Sequence, residues 1–251
     1  MSKNQGYKLP IKQPGVVKVW KYVEVTKKNE DKPMRFCIQE IPEDMYEDVV
    51  EHMCTYFIAD EPMCKCINGI SDPEYVDGFR QLWRESMKHG LSVAAFAEDP
   101  NGGKPILAGV NVLTLAFEKV EEDEFDCSSL KSKHGRNLMK ALAGLSKKAN
   151  VFRKYGVDKY MTAYGLSVHP SYRGAALGGQ LLKTREDIGR EYNIPVTSTG
   201  FTSPISQKLA ERCGFETLVE QNYEEMMDEE GNEMFPGIES KSLKIMARRL
   251  Y

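Results

Sequence analysis

Residues Tyr160–Gly179 read YMTAYGLSVHPSYRGAALGG, and the order of residue types along them decides the fold. A β-branched and aromatic run ends at His169-Pro170, where the proline biases the residue before it toward extended backbone. A short polar turn follows, then Arg173 and a string of glycines and alanines, after which Leu177, Leu181 and Ile188 recur at helical spacing. Strand, small-residue loop and helix in that order leave backbone N–H groups unpaired at the positive end of a helix dipole. That is how a backbone receives an anionic group such as a phosphate. The loop is not a Walker A loop, since no Gly-Lys-Ser/Thr follows, nor a dinucleotide fingerprint, since no G-x-G-x-x-G is present. Taken alone, it is either a cradle for some other phosphate-bearing group or simply a tight strand-to-helix turn.

Outward from this stretch, strands and helices alternate. Val16–Thr26 and Met34–Ile41 read as strands separated by the polar turn Lys27–Pro33. Tyr46, Val49, Val50, Met53 and Phe57 form a helical stripe with Pro42 at its start, and a second helix carrying Tyr75, Phe79, Leu82 and Trp83 begins at Ser71-Asp72-Pro73. Ser92–Ala97 and Ile106–Leu115 flank the turn Asp99-Pro100-Asn101-Gly102-Gly103 as a hairpin, and Leu138, Leu142, Leu145 and Phe152 share one face of a longer helix. Downstream lie a strand at Val196–Phe201, a helix at Pro204–Cys213, and strands at Phe215–Gln221 and Leu243–Arg249. The pattern predicts a mixed α/β fold: one domain over residues 15–251 with a mixed central sheet flanked by helices, preceded by a flexible arm at residues 1–14.

A net charge of -3 and the lack of a basic stripe give no footprint for nucleic acid. The longest apolar runs are strand-length, far short of a membrane span. The N-terminal MSKNQGYKLPIKQPG has no apolar signal core, so the expectation is a cytoplasmic protein, monomeric by default. In that compartment the six cysteines are expected as reduced thiols. Cys64-x-Cys66 has no second pair or nearby histidine to complete a tetrahedral set, so no metal is expected. The acidic stretches Glu121–Asp126 and Glu224–Glu233 are either solvated loop tips or a field that draws a cationic substrate.

The pattern L-x-V-x-P-x-x-R-G-x-x-x-G, here Leu166-Ser167-Val168-His169-Pro170 through Arg173-Gly174 to Gly178, resembles motif A of the GNAT acetyltransferases. The helix ending Arg212-Cys213-Gly214-Phe215 resembles the second signature of that family, and the order of elements agrees. The resemblance implies the GNAT acyl-CoA N-acyltransferase fold, in which one strand splays from its neighbour to pair with the pantetheine arm of acetyl-CoA. Carried over by position, the backbones of Leu166, Ser167 and Val168 face pantetheine and thioester, and Arg173, Gly174, Ala175, Ala176, Leu177 and Gly178 meet the pyrophosphate. Arg173 either supplies charge or braces the loop. The family usually has glycine where this chain has Ala176, which implies a slightly displaced loop or a weaker hold on the cofactor.

Phe57-Ile58-Ala59-Asp60-Glu61-Pro62 resembles the F-x-x-D-E-P signature of the insect-type arylalkylamine N-acetyltransferases, which acetylate amines such as dopamine, serotonin and tryptamine. A primary amine is mostly protonated at neutral pH and must lose a proton before it attacks a thioester, so a carboxylate at the cleft suits the chemistry. The resemblance makes Glu61 that base, at the end of the first helix. Many GNAT enzymes protonate the departing thiolate with a tyrosine at the position held here by Ala210. The arylalkylamine branch has hydroxyls at the positions of Thr202 and Ser206, which either serve the sulfur or cap the helix near Pro204. His169 reads as structural or cofactor-adjacent, while His52, His89 and His134 indicate nothing specific. Tyr56, Phe57 and Tyr164 either line the acceptor pocket or pack in the core.

The function implied is an acetyl-CoA-dependent N-acetyltransferase that acts on a small primary arylalkylamine through a ternary complex. Its partners are these two substrates, with neither nucleic acid nor membrane. Alternatives are a polyamine, agmatine-like or other small-amine acceptor, a longer acyl-CoA donor, or a non-catalytic acyl-CoA-binding module.

Overall fold

A computed structural model of the protein describes residues 15–26, 33–118 and 130–251. The arm at residues 1–14, nearly all of the turn Lys27–Pro33, the acidic stretch Glu121–Asp126 and Cys127 lie outside the described residues.

Among the described residues eight strands make one sheet: β1 (Val19–Val25), β2 (Met34–Glu40), β3 (Val93–Ala97), β4 (Ile106–Phe117), β5 (Lys159–Val168), β6 (Val196–Phe201), β7 (Glu216–Asn222) and β8 (Ser242–Arg249). Their order across the sheet is β1-β2-β3-β4-β5-β6-β8-β7. Among these neighbours only β5 and β6 run parallel. A parallel pair needs a crossover, supplied by the helix α6 (Leu177–Glu191). One face carries a core built from α1 (Tyr46–His52), α3 (Pro73–Met87) and α4 (Lys133–Ala149), and α6 packs on the other through Leu177, Leu181 and Ile188. Among the described residues no helix is long and apolar enough to cross a membrane.

The fork in this sheet decides where a ligand can go. Strands β5 and β6 share a single register pair, Met161 with Thr197. Beyond it β5 stays with β4 as far as Gly109–Val168, while β6 stays with β8 as far as Phe201–Lys244, so a gap opens between them. Strand β5 also carries a bulge in the diverging part. Asn111 pairs with Leu166 and Leu113 with Ala163, leaving Tyr164 and Gly165 opposite the single residue Val112. A bulge bends its strand and increases its twist, which turns β5 away from a flat course.

The strands and helices expected from the sequence are present with shifted ends, apart from two local departures. The first helix does not stay α-helical: after a 3-10 turn at Glu43–Met45, α1 runs into a π-helical stretch at Met53–Ile58. An apolar stripe of period near 3.6 cannot distinguish this from continued α-helix. Such widened turns tend to occur where side chains must be re-aimed at a functional site. The long helix expected to carry both Leu138 and Phe152 is broken at Asn150, which is left-handed at φ 46°. Asn150 ends α4, and its side chain then caps α5 (Val151–Tyr155) by accepting from the Arg153 N–H.

Candidate active site

The gap between β5 and β6 opens into a cleft of about 1430 Å³. Pockets for one small ligand measure roughly 300–1,000 Å³, so this cleft has room for two. It is lined by the loop Arg173–Gly174, by Ala176, Leu177 and Gly178, and by Leu166, Ser167 and Val168 of β5. Ala175 belongs to the same loop but is buried beneath it, at 1% exposure.

The loop has the character of an anion cradle. The amides of Gly174, Ala175, Ala176, Leu177 and Gly178 donate to no carbonyl among the described residues, and α6 begins among them. Arg173 braces this loop. Its Nε donates to the Val168 carbonyl at 2.9 Å and its guanidinium pairs with Asp60 at 2.5 Å. The aspartate of D-E-P is thereby tied to motif A.

Ala176 is left-handed, at φ 55° and ψ 12°, without a side-chain cap on α6. A β-carbon there costs about 1–2 kcal/mol, part of which glycine gives back as extra freedom of the unfolded chain. Ala176→Gly is therefore expected to stabilise the protein by about 0.5–1 kcal/mol, raising Tm by about 1–3 °C. Thermal unfolding checks this, and a variant no more stable than the parent would mean the methyl group is compensated by contacts.

Glu61 ends the first helical run, its N–H donating to the Phe57 carbonyl at 2.8 Å, and is at the same time the N-cap of the short helix α2 (Pro62–Cys66). Its Oε2 accepts from the Cys64 N–H at 2.7 Å, which fixes the carboxylate. Its Oε1 is buried without a hydrogen-bond partner among the described residues, and Glu61 lines the cleft. One oxygen anchored and the other unengaged is the arrangement of a group held ready to accept a proton.

Thr202 and Ser206 both line the cleft, at the start of α7 (Pro204–Arg212). The residue that caps α7 is Ser203, in a reciprocal capping box: its Oγ accepts from Ser206 N–H at 3.1 Å, and Ser206 Oγ accepts from Ser203 N–H at 3.2 Å. The Ser206 hydroxyl is thus drawn into the cap, also donating to the Ser203 carbonyl at 3.0 Å. The Thr202 hydroxyl has no partner among the described residues; only its carbonyl is engaged, by Tyr223 Oη.

Sequence reasoning passed over a histidine-backed pair of hydroxyls. His52 Nε2 lies 3.1 Å from Ser167 Oγ, and His169 Nε2 lies 3.0 Å from Tyr56 Oη. Ser171 N–H donates to His169 Nδ1 at 3.2 Å, so the neutral ring carries its proton on Nε2 and donates to Tyr56. His52 is buried, and burial, with His169 and Arg173 nearby, lowers its pKa to about 4. It is therefore neutral at pH 7. The four-residue spacing of His52 and Tyr56 was the one available signal, but nothing local indicates that their partners sit on β5 and just past its end.

Away from the loop the cleft has an apolar and aromatic stretch of wall, with Phe57, Phe79, Leu82, Leu138, Leu142 and Tyr164 among its lining. The carboxylates among its described lining residues are Asp60, Glu61 and Glu85. Asp60 is paired with Arg173 and Glu85 with Lys88 at 2.7 Å, which leaves Glu61. The acidic stretch Glu224–Glu233 contributes nothing to the lining; Asp228 and Glu230 pair with Lys133, and Glu229 with Lys140, on α4. Burial pushes the Cys66 thiol up to about 11 and holds the Cys64 thiol well above its ordinary value, so both are protonated at neutral pH.

The Acetyltransferase (GNAT) family matches residues 141–215, which contain motif A and the Gly-Phe signature. A search of curated proteins finds no match. Among solved structures, a chain assigned as arylalkylamine N-acetyltransferase 7 of the yellow fever mosquito Aedes aegypti is 29% identical, with 94% of this chain and 96% of that chain covered and a TM-score of 0.84. Arylalkylamine N-acetyltransferase 2 of Aedes aegypti is 26% identical over 86% of this chain and 99% of its own, with a TM-score of 0.74. The fold alone is shared with a Drosophila melanogaster polyamine N-acetyltransferase, 17% identical over 85% of this chain and 99% of that chain, with a TM-score of 0.71. The forked sheet, the motif A loop and these similarities identify a GNAT acetyltransferase domain at residues 141–215 and support an N-acetyltransferase, in a chain similar to the insect arylalkylamine N-acetyltransferases.

Proposed function

We propose that the protein transfers the acetyl group of acetyl-CoA to the primary amine of a small arylalkylamine. The pyrophosphate lies on the free amides of Gly174–Gly178, and pantetheine runs along Leu166–Val168 in the gap left by β6. The donor's carbonyl carbon then sits toward the bulge, within reach of an amine that enters over Phe57 and Tyr164. Glu61 takes the proton from the ammonium, directly or through water. The amine nitrogen forms the new C–N bond and the C–S bond breaks. Thr202, whose hydroxyl is unengaged among the described residues, is better disposed toward the sulfur than Ser206, whose hydroxyl holds the cap.

The observation that carries the choice of acceptor is the charge state of the cleft wall. Glu61 is its one carboxylate without a cationic partner among the described lining residues, and the wall formed by Phe57, Phe79, Leu82 and Tyr164 is apolar and aromatic. An arylalkylamine brings one cation for Glu61 and an apolar ring for the wall. Agmatine or spermidine brings a further cation that finds no unpaired carboxylate there, and an unpaired charge is costly to bury. Release of thiol from acetyl-CoA is the test, run with tryptamine, dopamine, agmatine and spermidine. We expect kcat/KM for the aromatic amines to exceed that for agmatine and spermidine by at least about tenfold, equivalent to about 1.4 kcal/mol. Equal or faster turnover of the two polycations would overturn the arylalkylamine reading in favour of a polyamine one.

A further inference from the structure

Arg185 projects from α6 and is only 1% exposed, yet it lines the cleft. Its guanidinium donates from Nη1 to Thr197 Oγ1 at 3.1 Å and Thr199 Oγ1 at 2.8 Å on β6, and from Nη2 to Asn111 Oδ1 at 3.1 Å on β4. All three acceptors are neutral, and no carboxylate pairs with Arg185 among the described residues. Arg185 Nε and Asn111 Nδ2 are both buried without a hydrogen-bond partner among the described residues. A buried arginine is normally paired, because removing its charge from water is expensive. The titratable group facing it is the Cys213 thiol, itself pushed up by burial, while the neighbouring Glu186 turns to Arg190 and Arg248. Burial lowers Arg185 to about 9, which still leaves it cationic at pH 7.

Strand register fixes where this cation lies along the fork. Asn111 is opposite Leu166 on β5, and Thr197 is opposite Met161, so Thr199 stands two residues further along, toward Ala163. The guanidinium therefore spans from β4 to β6 beneath the part of β5 between Ala163 and Leu166, where the bulge at Tyr164–Gly165 lies.

We propose that Arg185 supplies the positive field that stabilises the negative charge developing on the thioester oxygen and on the departing sulfur. The proposal rests on the acyl-CoA reading of the slot. As the C–N bond forms, the electron pair of the C–S bond leaves on sulfur; Glu61, having passed the ammonium proton on to solvent, takes the second proton that the acylated nitrogen sheds. Coenzyme A departs as a thiolate facing an uncompensated cation in a low-dielectric cleft, and takes its proton from water afterwards. A preorganised charge that needs no reorientation is an effective way to hold such a charge. On this account no acid is required where Ala210 stands.

The direct test is to titrate the thiol of coenzyme A bound to the wild-type protein. Thiolate absorbance is followed in the ultraviolet, with the desulfo-coenzyme A complex as reference to remove the protein's own thiols. The bound thiol is expected to titrate at least about one pH unit below free coenzyme A. Arg185→Lys should keep that shift. Arg185→Gln should abolish it and lower kcat by about 10²-fold. A bound thiol that titrates at or above the free value overturns the proposal without any variant needing to fold, and so does an Arg185→Gln protein that keeps the shift. Failure of coenzyme A to bind at all, read by calorimetry, overturns the acyl-CoA reading and this proposal with it.

Discussion

Glu61→Gln is expected to lower kcat/KM for a primary amine by about 10²- to 10⁴-fold at pH 7, the range that a positioned general base contributes. The substitution is close to isosteric and keeps a carbonyl oxygen for the Cys64 N–H that anchors Oε2. The start of α2 and the affinity for coenzyme A should therefore be little changed. What disappears is the proton acceptor at the buried, unpartnered Oε1. The pH profile distinguishes this from a general loss of structure. An alkyl ammonium has a pKa near about 10, so at pH 7 only about one amine in a thousand is already deprotonated. With Glu61 replaced, only that fraction can react, and log kcat/KM should climb with a slope near one up to the amine's own pKa. The defect should shrink as pH rises. A variant that loses activity by the same factor at every pH would remove Glu61 from the role of base.

The extent to which this site is legible from the chain follows the range of the interactions that build it. The anion cradle is local: Arg173 through Gly178 and the start of α6 are contiguous, so strand, small residues and helix betray it directly. Ala176 is legible for the same reason, because a departure from glycine at a tight turn carries a conformational meaning in itself. The fork is a different matter. Expected only through the family resemblance, it is an absence of pairing beyond Met161–Thr197 that no residue of β5 or β6 announces by itself. The Asp60–Arg173 ion pair and the His52–Ser167 contact likewise join segments far apart in sequence, which periodicity cannot bring together. Thr202 and Ser206 mark an intermediate case. Hydroxyls at helical spacing were visible, but Ser203, lying between them, takes the capping position and draws Ser206 into its own hydrogen bonds. Arg185 carries no signal in the sequence, since only the sheet beneath it reveals that it is buried and its charge unpaired among the described residues.

Gly165→Ala is expected to destabilise the protein by about 2–4 kcal/mol and to lower kcat by about 10²-fold beyond what loss of folded protein explains. Gly165 sits in the β5 bulge at φ 137°, a backbone angle that residues with a β-carbon rarely adopt. A methyl group there would lie 2.6 Å from Met53 Cε and 3.1 Å from Phe57 Cε2. Met53 is fully buried, so the end of its side chain has no open space to retreat into. Phe57 is stacked edge-on against Trp83, at 6.0 Å between ring centroids, so its displacement is passed on to α3. Both neighbours come from the π-helical stretch, which places that widened turn directly against the bulge. The chain can relieve the clash by flattening the bulge or by lifting the Met53–Ile58 segment. The first shifts Leu166 and with it the proposed thioester position; the second shifts Glu61 at the end of the same segment. Either movement separates base from donor, and a misplacement of about 1 Å is enough to cost roughly 10²-fold in rate. Denaturant unfolding measures the first effect and single-turnover kinetics on the folded fraction the second. Full activity per folded molecule in Gly165→Ala would mean that the bulge serves packing alone and that the spacing between Glu61 and β5 is held by the Arg173–Asp60 pair instead.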